Sequence, residues 1–63
     1  MFKIEVKHRG ADTAEFITVA GIYAARKLYK AVLLTAIDAG PVNDIERVAL
    51  INPLGETIAA CGM

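Results

Sequence analysis

Residues 2–9, FKIEVKHR, alternate without a break. Phe2, Ile4, Val6 and His8 fall on one side; Lys3, Glu5, Lys7 and Arg9 fall on the other. Period two with one charged face is the pattern of a strand that has one face in a core and one in water. The apolar face has to be covered by the rest of a short chain. Only one later stretch, YAARKLYKAVLLTAIDAG (residues 23–40), is long and periodic enough to be a helix. The expected architecture is therefore α+β, with one helix packed on an antiparallel-rich sheet.

The remaining elements follow from local signals. GADTA is rich in turn formers, and EFITVA after it reads as a short second strand pairing back on the first. The helix begins between Thr18 and Ile22, with Thr18 as candidate cap and Gly21 as an awkward interior residue. Gly40 suits the left-handed position that follows a helix, and Pro41 prevents continuation. DIERVALIN holds a third strand, Ile45 to Ile51. NPLG then reads as a type I turn with Gly55 in the left-handed bulge position, and ETIAACG returns as the last strand. The expected order is β-β-α-β-β, or β-α-β-β without the second strand, in a single domain over residues 1–63.

With 63 residues, such a domain buries only about 60% of its unfolded-chain surface. Small scaffolds make up the shortfall with disulfides, metals, oligomerisation or an unusually good core. Cys61 is the lone cysteine and His8 the lone histidine. An internal disulfide is excluded, and a structural zinc site, which wants about four Cys or His ligands, has no material. A composition 56% hydrophobic leaves self-association or a dense core.

The helix and the third strand both carry apolar surplus. At about 100° per residue, Ile22, Ala25, Leu28, Tyr29, Val32, Leu33 and Ala36 share the arc that must meet the sheet. Tyr23, Lys27, Lys30, Leu34 and Asp38 lie opposite, and Ala20, Ala24 and Ala31 form a strip of small residues between. In the third strand, simple alternation puts Ile45, Arg47, Ala49 and Ile51 on one face and Glu46, Val48 and Leu50 on the other. Both faces are largely apolar, as in strands covered on both sides. One helix covers one face, so either a second copy of the chain or a different protein must cover the other, and a homodimer is expected.

No catalytic constellation emerges. His8 reads as a strand-end residue whose tip reaches water, and Cys61 as a small packing residue with nothing to lower its pKa. Asp38, Asp44 and Glu46 cluster around the helix exit but read as a solvated rim. Phosphate-binding glycine loops, zincin motifs and nucleophile elbows are absent from the sequence. No catalytic residue, metal ligand or cofactor is therefore assigned, and the chain is expected not to be an enzyme.

The seven basic and seven acidic residues cancel to a formal net charge of zero, which weakens bulk attraction to nucleic acid or anionic membranes. No apolar run approaches the ~20 residues of a membrane span, and MFKIEVKHRG lacks the apolar core of a signal peptide. A cytoplasmic protein is expected. Two basic sets remain. Tyr23, Arg26, Lys27, Lys30 and Leu34 on the outward helix side form a candidate protein-binding face, with Tyr and Arg of the kind enriched at hot spots. Lys3, Lys7 and Arg9 on the outer face of the first strand form a candidate phosphate-contacting set for nucleic acid.

In length and element order the chain resembles tiny phage-encoded proteins that bind host machinery, such as anti-CRISPR proteins and phage inhibitors of host RNA polymerase. The resemblance rests on layout and carries no residue assignment. It implies an inhibitor or adaptor, encoded by a phage or mobile element, that acts by occupying a partner's surface.

Overall fold

The computed structural model describes residues 1–39 and 44–62. The expected positions of Gly40 and Pro41 at the helix end lie outside the described residues. The elements are β1 (Phe2–His8), β2 (Glu15–Val19), α1 (Ile22–Ala39), β3 (Ile45–Ile51) and β4 (Thr57–Gly62). All four strands form one antiparallel sheet in the order β2-β1-β3-β4. The short second strand exists and pairs back on β1 from Phe2↔Val19 to Val6↔Glu15.

The strand that alternates most strictly thus occupies the interior of the sheet beside β3. β2 and β3 each run antiparallel to β1, so they are parallel to each other, and α1 connects them across β1. This puts the helix over the two central strands. The Cα extents are 32 × 24 × 15 Å, and the short axis holds one sheet and one helix layer, since packed layers lie about 10 Å apart.

The core lies between α1 and one sheet face. Ile4, Val6, Val48, Leu50 and Ala25 are buried, with Phe2, Val19, Leu28, Tyr29, Val32, Leu33, Ile45 and Ala59 packed around them. The strand registers Ile4↔Leu50 and Val6↔Val48 place these residues side by side. Ala25 and Ala36 are the buried members of the helical arc. The small side chains at these two positions let the helix backbone approach the sheet.

Three local readings are revised. β2 runs through Val19, so Thr18 belongs to a strand and does not cap the helix. Gly21 takes that position: its carbonyl accepts the first helical hydrogen bond from the Ala25 N–H at 2.9 Å, and glycine is tolerated at an N-cap. In β3 a bulge changes the faces. Lys7 pairs with Arg47 but His8 pairs with Ile45, leaving Glu46 as the extra residue. Ile45 therefore joins Val48 and Leu50 on the core side, while Arg47, Ala49 and Ile51 stay on the open face. That open face also needs less cover than its composition implies. Ala49 is only 1% exposed within the single chain, because a short side chain between Glu5 and Ala60 is shielded by its own neighbours.

The β3–β4 connection follows its sequence signal. Gly55 has φ +86° and donates its N–H to the Asn52 carbonyl at 2.9 Å, while the Asn52 N–H bonds the Glu56 carbonyl at 2.9 Å. The Asn52 side-chain oxygen also accepts the N–H groups of Leu54 (3.0 Å) and Glu56 (2.8 Å), so one residue organises the whole turn.

Candidate functional site

Two surfaces carry the residues singled out in the sequence. The first is the outward face of α1. Arg26, Lys27 and Lys30 are exposed, and Tyr23 is 85% and Leu34 51% exposed. The structure adds Ile37, 57% exposed, to the same row. Tyr23, Lys27, Lys30, Leu34 and Ile37 recur at spacings of four and three, which keeps them on one helix face. That spacing was the signal for Ile37; the residue sits at the rim of the outward arc, where Asp38 is the more obvious polar marker. Ala24 and Ala31 are exposed as well, so nothing in the described chain covers the small-residue strip.

The second surface is the open sheet face. β1 contributes Lys3, Glu5 and Lys7, and β3 contributes Arg47, Ala49 and Ile51. Phe16 and Thr18 of β2 pair with Glu5 and Lys3 on the same side. Lys7 Nζ lies 3.3 Å from Glu46 Oε2 and donates to the His8 carbonyl at 3.1 Å. The bulge makes the first contact, because it turns Glu46 toward the open side. Arg47 stands 3.9 Å from Glu5. Lys3 Nζ sits 5.9 Å from the centre of the Phe16 ring, within cation–π range. An open groove of about 700 Å³ runs along this end of the face, lined by Glu5, Lys7, Ala14, Glu46, Arg47 and Gly62. The charges that line it are mutually paired.

The basic strand set is therefore divided. Lys3 and Lys7 share the open face, with Lys7 held by an acid. Arg9 is exposed beyond the end of β1, where its backbone N–H donates to the Asp44 carbonyl at 2.6 Å.

His8 has a richer setting than its sequence position suggests. Its Nδ1 lies 3.1 Å from Asp44 Oδ1, and its Nε2 lies 3.7 Å from Glu15 Oε2. β2 and the residue before β3 bring these carboxylates to opposite sides of the ring. A doubly protonated ring meets both acids, while a neutral ring donates to one. Only the Nδ1–Asp44 contact is within hydrogen-bond distance; the Glu15 carboxylate lies beyond it. No group of three or more potential metal ligands is close enough to hold an ion among the described residues.

On the core side, the acidity of Tyr29 shifts. Burial, and then the negative charge that Cys61 can carry, push its phenol above the ordinary value. Cys61 is half-buried and free, with Sγ 3.7 Å from the Gly62 carbonyl. Among the described residues no helix is long and apolar enough to cross a membrane.

No protein-family model matches the chain, and comparison with curated proteins and with solved structures likewise finds no match.

Proposed function

We propose that this chain is a small non-enzymatic protein-binding module. It acts as a homodimeric inhibitor or adaptor, of the kind phages and mobile elements encode, and it meets its partner with the outward face of α1. The observation that carries this reading is the exposed row Tyr23, Leu34 and Ile37, interleaved with Arg26, Lys27 and Lys30 on one helix. Fully burying one such apolar side chain against a partner contributes about 1.5–3 kcal/mol, and Tyr and Arg are favoured anchors. Charge complementarity calls for an acidic partner surface with apolar pockets.

The test is affinity capture from a lysate of the source organism, comparing the immobilised wild type with the Tyr23→Ala/Lys27→Ala variant. Circular dichroism first confirms that both are folded. A protein retained by the wild type and lost by the variant is the expected result. Equal retention by both removes the helix face as the site.

A second reading is supported by the Lys3–Phe16 pair, which combines a cation with an exposed ring, as single-stranded nucleic-acid sites do. In that reading Lys3, Lys7 and Arg9 contact phosphates. It requires labelled single-stranded DNA or RNA to bind at low salt and to dissociate steeply as salt rises. The Lys7–Glu46 and Arg47–Glu5 pairs count against it, because phosphate would have to displace carboxylates already in place.

A further inference from the structure

The sheet has two outer strands, β2 and β4, and among the described residues no further strand pairs with the outer side of either. Such an edge is a template for another strand unless a bulge, a charge or a proline blunts it. The two edges differ in this respect. β4 has a register shift against β3 between Leu50 and Ile51, and its side chains are mostly small. β2 pairs with β1 in unbroken register, contains aromatic and β-branched residues, and carries its single charge, Glu15, at one end.

β2 also has apolar side chains exposed on both faces. Phe16 on the open face is 54% exposed, and Ile17 on the helix side is 41% exposed. The second value follows from the topology, because α1 lies mainly over β1 and β3 and covers β2 less, chiefly through Val19.

We propose that the β2 edge is the interface of the homodimer, with a second copy of this chain as its occupant: two β2 strands pair antiparallel about a two-fold axis through Ile17. This rests on the reading of the chain as a self-associating module and names the surface it uses. A two-fold axis perpendicular to the sheet keeps each side chain on its own face, so only registers that match odd with odd and even with even residues are allowed. Full overlap of β2 selects the one centred on Ile17. Each Ile17 then meets its own copy on the helix side of the sheet. Each Phe16 lies opposite Thr18 of the second copy, an aromatic–β-branched pair of the kind that stabilises sheets. Each Glu15 lies opposite Val19 of the second copy, so no like charges face each other. The two four-stranded sheets become one, and both exposed β2 side chains gain cover. The outward face of α1 stays free for a different partner.

The test combines solution mass with site-directed cross-linking. Residues directly opposite across an antiparallel pair have Cα atoms about 4.5–5.5 Å apart, inside the window of about 4.4–6.8 Å that a disulfide spans. In a Cys61→Ser background, Ile17→Cys is expected to oxidise to a covalent dimer, while Ala60→Cys on the other edge forms no covalent cross-link. By light scattering over a concentration series, the wild type is expected to be a dimer and Ile17→Lys to have half that mass, with its circular dichroism spectrum kept. Should Ile17→Lys fail to fold, the cross-linking pair decides alone. A dimer that cross-links through Ala60→Cys, or through neither position, overturns the β2 assignment while leaving the homodimer intact. A wild type that stays monomeric throughout overturns both, and capture through Tyr23 and Lys27 remains a separate measurement.

Discussion

The truncations Ile4→Ala and Tyr23→Ala remove large side chains from opposite extremes of the structure. Ile4 is fully buried (0% exposed) and Tyr23 is 85% exposed. Ile4 sits in an interior strand with Ile17 and Leu50 directly opposite on its two sides and α1 above. Its backbone is pinned by ladders on both flanks, so the site cannot collapse around a missing side chain. Leu/Ile→Ala changes cost about 2–5 kcal/mol, more where the cavity persists, and this geometry places Ile4→Ala in the upper half, about 3–5 kcal/mol. At about 0.05–0.15 kcal/mol per residue, a domain of this length has only about 3–9 kcal/mol to lose. For a domain of 60–100 residues each kcal/mol moves Tm by about 4–8 °C, so Ile4→Ala either melts at least ~12 °C lower or does not fold at ambient temperature. Ile4→Val, which leaves a smaller cavity, costs about 0.5–1.5 kcal/mol and keeps the comparison measurable. Tyr23→Ala stays within about 0.5 kcal/mol of the wild type. The assay is urea unfolding followed by circular dichroism, with thermal melts in parallel. A loss below about 1 kcal/mol for Ile4→Ala would refute the placement of β1 beneath the helix. A loss above about 1.5 kcal/mol for Tyr23→Ala would show that this ring packs on something.

Tyr29→Phe tests the core side by pH. Burial, reinforced by Cys61, raises the folded phenol above its unfolded value, which is about 10; the stability linked to it is whole below that pH and is lost as pH rises through the folded value. The urea midpoint of the wild type should therefore fall more than that of Tyr29→Phe in strongly alkaline solution, and parallel curves would show that the ring is not buried. Gly55→Ala puts a Cβ on a residue with φ +86° and should cost about 1–2 kcal/mol, even though the space around it is open; an unchanged urea midpoint would contradict the left-handed turn. Asn52→Ala removes the acceptor shared by the Leu54 and Glu56 N–H groups. Because the site is exposed and water can replace the acceptor, about 0.5–1.5 kcal/mol is expected; no change in urea midpoint would mean the backbone bonds alone hold the turn.

Much of this fold could be read residue by residue because its signals are local. The alternation of Phe2 to Arg9, the helical arc from Ile22 to Ala36 and the turn chemistry of Asn52 to Gly55 each act within a few residues of themselves. The bulge at Glu46 was not legible, because it depends on how β3 meets β1, strands far apart in the chain. Simple alternation put Ile45 with Arg47, and pairing geometry separated them. Thr18 looked like a cap because its side chain suits one; β2 pairing claimed it instead. The outward helix row from Tyr23 to Leu34 was visible from spacing; Ile37, exposed at its end, was not picked out. The carboxylates on either side of His8 were not, since Glu15 and Asp44 reach it only through sheet order.

The order β2-β1-β3-β4 also has a consequence for how the chain reaches its native state. The sheet consists of two antiparallel hairpin pairs, β1 with β2 and β3 with β4, joined along the β1–β3 seam. Each pair closes over a short stretch of chain. The seam brings together partners such as Val6 and Val48, roughly forty residues apart, and must absorb the loop-closure entropy of that separation before its contacts repay it. The buried side chains of the core lie along this seam, so neither hairpin pair has a complete hydrophobic face by itself. The order of strands thus concentrates on one seam the long-range contacts on which the rest of the domain depends.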